Sequence, residues 1–138
     1  MPGRVLALDY GSARTGVAVS DPTGVLATPL EPVLRAGTRK GIGRIVGLVR
    51  SLDAGTVVVG LPLSLSGRDS AQTVEAREFA ARLQQRLAEL GTPVDVQLWD
   101  ERFTTRLAER DGGGAGARAS EDSRAAAHLL SSWLDARR

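Results

Sequence analysis

Short apolar runs alternate with amphipathic segments along the 138-residue chain. Residues 4–8 and 56–62 are continuous apolar runs, a pattern typical of strands that are buried on both faces. The pattern predicts three further strands, at residues 16–20, 25–34 and 94–99. Pro29 and Pro32 remove hydrogen-bond donors from the 25–34 strand, so we expect that strand at an edge of the sheet.

Helical periodicity occurs in longer segments between these strands. Apolar side chains recur every three to four residues within residues 38–53. A second helix can be capped by Asp69 or by Ser70, and Gly91 ends it. The remaining predicted helices are a short one around residues 105–110 and a last one from about residue 120 to residue 135.

The order of elements is therefore β-β-β-α-β-α-β-α, which predicts an α/β fold with a five-stranded mixed sheet and helices on both faces. We expect residues 1–138 to form one domain, with the first strand central and parallel to the fourth and fifth strands. In open sheets of this kind, sites form beyond the carboxyl ends of the strands. Asp9 comes directly after the first apolar run, at such an end.

The composition limits which metal ligands and which binding partners are plausible. The chain has no cysteine, so a metal ion would have to be held by oxygen ligands or by the single histidine, His128. Seventeen of the eighteen basic residues are arginine, whose planar fork suits phosphate, so nucleic acid is a plausible partner. A GC-rich genome would produce the same arginine count. The sequence shows neither a long apolar run nor a signal-peptide cleavage pattern, so we expect no membrane association and a cytoplasmic location.

Three further acids are placed to meet Asp9. Asp100 and Glu101 follow the fifth strand, and because neighbouring strand residues point to opposite faces, at most one of them should face Asp9. Asp122 shares a stripe of the last helix with apolar residues that pack on the sheet, where a carboxylate is costly unless it is paired. Glu121 lies on the opposite side, where the helix dipole accounts for it, and His128 is expected at the surface.

Carboxylates gathered at one sheet edge repel one another, and a divalent cation removes that repulsion. Oxygen ligands select Mg²⁺ or Mn²⁺, and two such ions about 4 Å apart are the usual arrangement for attack of water on a phosphodiester. We expect Asp9 to bridge the ions. The candidate metal ligands are Asp9, Asp100, Glu101 and Asp122.

Four motifs occur in a characteristic order: DYGSARTG, GLPLSLSG, DERFTT and SEDSRAAAHLLSSWLD. With these motifs the chain resembles the YqgF/RuvX family of ribonuclease-H-like bacterial proteins, described as Holliday-junction-resolvase-like and as nucleases for the 5′ end of pre-16S ribosomal RNA. The resemblance implies a ribonuclease-H-like fold and metal-dependent phosphodiester hydrolysis, with catalytic residues Asp9, Glu101 and Asp122. One departure is that related resolvases usually carry an acid at the end of the fourth strand, where this chain has Gly60.

Residues near these acids are candidates for substrate binding: Gly11, Arg14, Arg102, Thr104, Thr105 and Arg118. Gly11 could equally serve the hairpin, and the two threonines are more often helix caps. The expected substrate is structured RNA. A resolvase for branched DNA is the first alternative; it would act as a homodimer, because symmetric cutting of two strands needs a two-fold axis. A non-catalytic nucleic-acid-binding module is the second alternative.

Overall fold

The computed structural model describes residues 3–64, 66–104 and 121–137. Within these ranges the strands are β1 (Arg4–Asp9), β2 (Arg14–Ser20), β3 (Ala27–Leu34), β4 (Ala54–Leu61) and β5 (Asp95–Asp100). The α-helices are α1 (Arg39–Ser51), α2 (Ala71–Glu89) and α3 (Glu121–Asp135). A single 3₁₀ turn, Glu101–Phe103, follows β5.

The sheet has the strand order β3-β2-β1-β4-β5. β1 is central, antiparallel to β2 and parallel to β4, and β5 is parallel to β4, as the sequence predicts. β3 lies at the predicted edge. Its register against β2 shifts between Thr15 and Val17, so Pro32 falls where the regular ladder is interrupted.

The helices cover both faces of the sheet, which confirms that prediction. α1 and α2 pack on one face, against β1 and β4 residues that are fully buried: Leu6, Leu8, Val57 and Val59. α3 packs on the other face, against Val5, Ala7, Ala18 and Val58. Because Ala7 faces α3 and side chains alternate along a strand, Asp9 projects from the α3 face of the sheet and Tyr10 is packed on the opposite side.

Several strand boundaries differ from the expectation: β2 and β4 begin two residues earlier than predicted, and β3 begins two residues later. Val25 and Leu26, predicted as strand, lie outside β3 and are exposed, because the Asp21 carboxylate accepts both of their backbone N–H groups in a turn, each at 2.8 Å. Of the two predicted capping residues of α2, Ser70 is confirmed as the cap. The helix predicted at 105–110 falls outside the described residues.

In the described ranges, no helix combines the length and the apolar character that crossing a membrane requires.

Candidate active site

Asp9 is the last residue of the central strand and is half-buried. It pairs with Gly16 on β2, and the residue before it, Leu8, pairs with Val59 on β4. The carboxylate therefore stands at the carboxyl end of β1, between the ends of two neighbouring strands, which is where open α/β sheets place their sites.

The first turn of α3 is held directly against Gly16. A Cβ atom added at Gly16 would overlap the carbonyl of Asp122 and lie 2.8 Å from the Ser123 nitrogen. The Val17 N–H also donates to the Ser123 hydroxyl at 3.2 Å, and that hydroxyl is fully buried. Because Gly16 is the register partner of Asp9, the backbone of the half-buried Asp122, the second residue of α3, lies beside the end of β1.

Glu101 approaches the same corner from β5. A Cβ atom added at Gly60 would lie 3.1 Å from each of three Glu101 side-chain atoms, Cγ, Cδ and Oε2, so this side chain lies over Gly60. Gly60 follows Val59 in β4 and shares the α3 face with Val58, as Asp9 does on β1. The position that lacks an acid at the end of β4 is thus covered by an acid from β5.

Asp100 lies on the other side of the sheet. It shares a face with Val96, which packs toward α1 and α2, whereas Trp99 packs toward α3. Its carboxylate accepts hydrogen bonds from Arg102 Nη2 at 2.6 Å and Nε at 3.0 Å, and from the Arg102 backbone N–H at 2.9 Å. The side-chain hydrogen bond from Arg102 is the main reason that the pKa of Asp100 is lowered. The structure therefore does not bring Asp100 together with Asp9. Asp100 forms an ion pair with Arg102 instead.

The predicted substrate-binding residues have different surroundings. Gly11 is explained by the hairpin, since a Cβ atom there would overlap the Arg14 carbonyl. Arg14 is exposed at the start of β2. Thr104 is half-buried; its hydroxyl is buried and makes no hydrogen bond with any described residue. Thr105 and Arg118 lie outside the described residues.

The side chains do not close into a metal-binding group. Among residues 3–64, 66–104 and 121–137, no three His, Asp or Glu side chains are arranged to hold one ion. The contacts that the structure shows are the α3 backbone against Gly16 of β2 and the Glu101 side chain over Gly60 of β4. Sequence reasoning missed the roles of these two glycines, although a glycine inside a strand is itself a signal of close approach.

Comparison with solved structures identifies the fold class of the protein. The structure is similar to the RuvC protein of T. thermophilus in complex with a Holliday junction substrate, with a TM-score of 0.65 at 15% identity, covering 98% of this chain and 95% of that one. It is also similar to the yeast mitochondrial Holliday junction resolvase Ydc2, with a TM-score of 0.57 at 10% identity, covering 96% and 78%. At these identities the likeness concerns the fold, which is the predicted ribonuclease-H-like one.

The family follows from sequence. Residues 3–136 match the family model RuvX, described as Holliday junction resolvase. A protein of Mycolicibacterium paratuberculosis named "Putative pre-16S rRNA nuclease" is 46% identical over 99% of this chain and 82% of its own length. Its namesake in Mycobacterium tuberculosis is 44% identical over 98% and 80%. The chain belongs to the RuvX family.

Proposed function

We propose that this protein is a nuclease that hydrolyses phosphodiester bonds in the precursor of 16S ribosomal RNA, using divalent metal ions. The observation that supports the proposal is that Gly16, the β2 partner of Asp9, admits the α3 backbone at Asp122, while Gly60 of β4 admits the Glu101 side chain. The relatives at 44–46% identity, which span nearly the whole chain, support the substrate.

Asp9, Glu101 and Asp122 are the proposed metal ligands. All are carboxylates, the donor type that Mg²⁺ and Mn²⁺ prefer, and the described chain offers no thiolate that would favour another metal. Carboxylates brought together repel one another, so we expect these side chains to form one group only when an ion binds. We leave Asp100 out of the set because it faces the opposite side and pairs with Arg102.

Divalent ions bound there would activate water and stabilise the leaving oxygen. The chain itself positions the acids. Val17 and Ser123 fasten the start of α3 to β2, which fixes the backbone of Asp122, and Gly60 leaves room for the Glu101 carboxylate. Arg14, exposed one strand away from Asp9, is a proposed contact for the substrate phosphate.

The test is cleavage by the purified protein of a 5′-extended 16S precursor RNA, with Mg²⁺, with Mn²⁺ and with EDTA. We expect metal-dependent cleavage that Asp9→Asn abolishes. Asp100→Asn is the matched control, because it removes an equal charge from the other face of the sheet and should cleave nearly as well as the wild type. Cleavage in EDTA, or by the Asp9→Asn variant, would contradict the proposal.

A metal-binding readout separates the ligand set from the activity. Mn²⁺ should raise the melting temperature of the wild type, because an ion that binds only the folded state stabilises it. The same addition should leave Asp9→Asn nearly unchanged. An equal rise in both proteins would show that the ion binds elsewhere.

The family description favours a second candidate, resolution of four-way DNA junctions. The same assay therefore includes a junction substrate. Symmetric cuts in two opposing strands, made by a dimer, would support this activity, since such cuts need a two-fold arrangement of sites. Metal-dependent binding of either substrate without cleavage would instead indicate a non-catalytic nucleic-acid-binding module.

A further inference from the structure

A cleft lies between α1 and α2, on the face of the sheet opposite α3. Its volume is about 370 Å³. It is lined by Arg39 and Ile42 of α1 and by Arg82, Gln85, Arg86 and Glu89 of α2. We call it the arginine cleft.

The arginine cleft is strongly positive. Three arginines and one glutamate give its lining a formal charge of +2, equal to that of the entire chain. Glu89 offsets part of the charge through an ion pair with Arg86 at 3.4 Å, in which both side chains are about half exposed. Such exposed pairs are weak, so Arg86 remains able to bind another anion.

The other two arginines differ in how they are held. Arg82 donates from Nη1 to the Gly37 carbonyl at 2.6 Å, which fixes its guanidinium at the mouth of the cleft. Arg39 makes no hydrogen bond or ion pair with the residues that the structure describes. The guanidinium of Arg82 is thus already oriented, whereas all the hydrogen-bond donors of the Arg39 guanidinium are available to a ligand.

The start of α1 adds to the positive potential. Its first residues are Arg39 and Lys40, and its first turn contains no acid. The amino-terminal end of a helix is itself positive, so cations there are unfavourable and an anion would relieve the repulsion. The polarity of the helix end and the side chains of the cleft therefore favour the same kind of ligand.

The cleft opens near the candidate active site. Tyr10, the residue after Asp9, stacks on Phe79 of α2 with ring centroids 4.6 Å apart. A Cβ atom added at Gly37 would lie 2.8 Å from the Tyr10 hydroxyl and 3.3 Å from Arg82 Nη2. The end of β1 thus carries the acid on one side of the sheet and borders the mouth of the arginine cleft on the other.

We propose that the arginine cleft binds the phosphodiester backbone of the substrate strand at nucleotides that flank the bond cut at Asp9. Arginine forks match phosphate oxygens in a bidentate manner, and each phosphate contact releases counterions and strengthens binding. The inference rests on the proposed nuclease function, since it extends the substrate of that site around the end of β1.

The experiment measures binding by fluorescence anisotropy, in EDTA so that no cleavage occurs, with a labelled precursor RNA and a DNA junction as separate arms. The cleft variant is Arg39→Gln with Arg86→Gln. The control is Arg44→Gln with Arg77→Gln, which also removes one arginine from each helix, but outside the cleft. The match extends to partners: Arg77 pairs with Asp69 at 2.9 Å as Arg86 pairs with Glu89, and Arg44 has no described partner.

We expect the cleft variant to bind at least about tenfold more weakly at 0.1 M salt, and its slope of log K against log salt to fall by about two. The control pair should stay within about threefold of the wild type, with a slope nearly unchanged. Loss in the RNA arm, the DNA arm or both supports the inference and identifies which strand occupies the cleft. Equal losses in both double variants, or no loss in the cleft variant, would overturn it.

Cleavage of a short RNA that spans only the scissile bond distinguishes this inference from the proposed function. The cleft variant should cut the short RNA as fast as the wild type does, while cutting the long precursor more slowly. If the wild type cuts neither RNA, the proposed function fails. If it cuts both and the cleft variant matches it on both, only the cleft inference fails. A wild type that binds neither nucleic acid overturns both.

Discussion

The two sides of the sheet at the end of β1 have opposite characters. On the α3 side the α3 backbone touches β2 at Gly16, the register partner of Asp9, and the Glu101 side chain lies over Gly60 of β4. On the α1–α2 side the helices leave an open cleft lined by arginines. Asp9 projects from the α3 face, and the adjacent Tyr10 packs on the α1–α2 face. One strand end therefore presents an acid on one face of the sheet and, on the other face, borders a positively charged surface, which are the two features that the proposed nuclease requires.

The largest change in cleavage rate is expected between variants of Glu101 and Asp100, two neighbouring acids on opposite faces of the sheet. Glu101→Gln should lower cleavage on the order of 10²- to 10³-fold, because a neutral amide holds a divalent ion poorly. Asp100→Asn should stay within a few-fold of the wild type, since Arg102 and not the site engages Asp100. Single-turnover cleavage of both variants checks this. Equal losses of cleavage in the two variants would mean that the face of the sheet on which an acid lies does not determine its part in cleavage.

The next effect concerns how closely α3 approaches the sheet. Gly16→Ala should lower the free energy of unfolding by about 1–3 kcal/mol, because the new methyl overlaps the Asp122 carbonyl and the helix must move. It should also impair cleavage, since the backbone of Asp122 moves with the helix.

A glycine of the other side is the control for Gly16. A Cβ atom at Gly47 of α1 would meet nothing within 4 Å, so Gly47→Ala should stabilise the protein by about 0.5–1 kcal/mol. Urea denaturation compares the two variants. A stable Gly16→Ala protein would disprove the close contact between α3 and β2.

A smaller effect is expected at Gly60. Alanine there would place a methyl 3.1 Å from Glu101 atoms, so the side chain must move by a few tenths of an ångström. Cleavage should fall about tenfold, because misplaced catalytic groups lose rate steeply, while the free energy of unfolding should change by less than about 1 kcal/mol. Kinetics and urea denaturation of the same preparation test this. A loss of stability as large as the loss of activity would contradict it.

The smallest effect is a pH dependence on the arginine-paired side of β5. Hydrogen bonds from Arg102 lower the pKa of Asp100 below its ordinary value of 3.8. The stability from this pair is therefore present above pH 3.8 and is lost as the pH falls through the lower pKa of the folded protein. Asp100→Asn and Arg102→Gln should each flatten the acid limb of stability against pH. Urea denaturation from about pH 2 to pH 5 measures this limb. An unchanged limb in both variants would show that other carboxylates account for it.

Much of the fold could be predicted from the sequence because its signals are local. The apolar runs place β1 and β4, Pro29 and Pro32 place β3 at the edge, and the order of elements predicts helices on both faces. The strand ends were less accurate. Val25 and Leu26 have side chains that favour a strand, but their backbone N–H groups donate to the Asp21 carboxylate instead of to a neighbouring strand. These hydrogen bonds form only in the folded turn.

The positions of the candidate acids in the fold could be predicted in part. Alternation along β5 indicates that only one of Asp100 and Glu101 can face Asp9, but it does not say which one. That choice depends on which face of β5 packs against α3, and the packing of Trp99 and the ion pair of Arg102 decide it. Asp122 could be separated from Glu121 by helical period alone, because both lie on one element.

Local propensity and periodicity specify the helices and strands, their order and the acids available at the strand ends, because these signals act over a few residues. The contacts of Glu101 with Gly60, of α3 with Gly16, and of Arg39 and Arg86 in one cleft depend on the folded arrangement of the elements. Each of these contacts joins residues distant in the chain. Such contacts form when the two layers of helices close on the sheet, and no local pattern records which side chains that packing brings together.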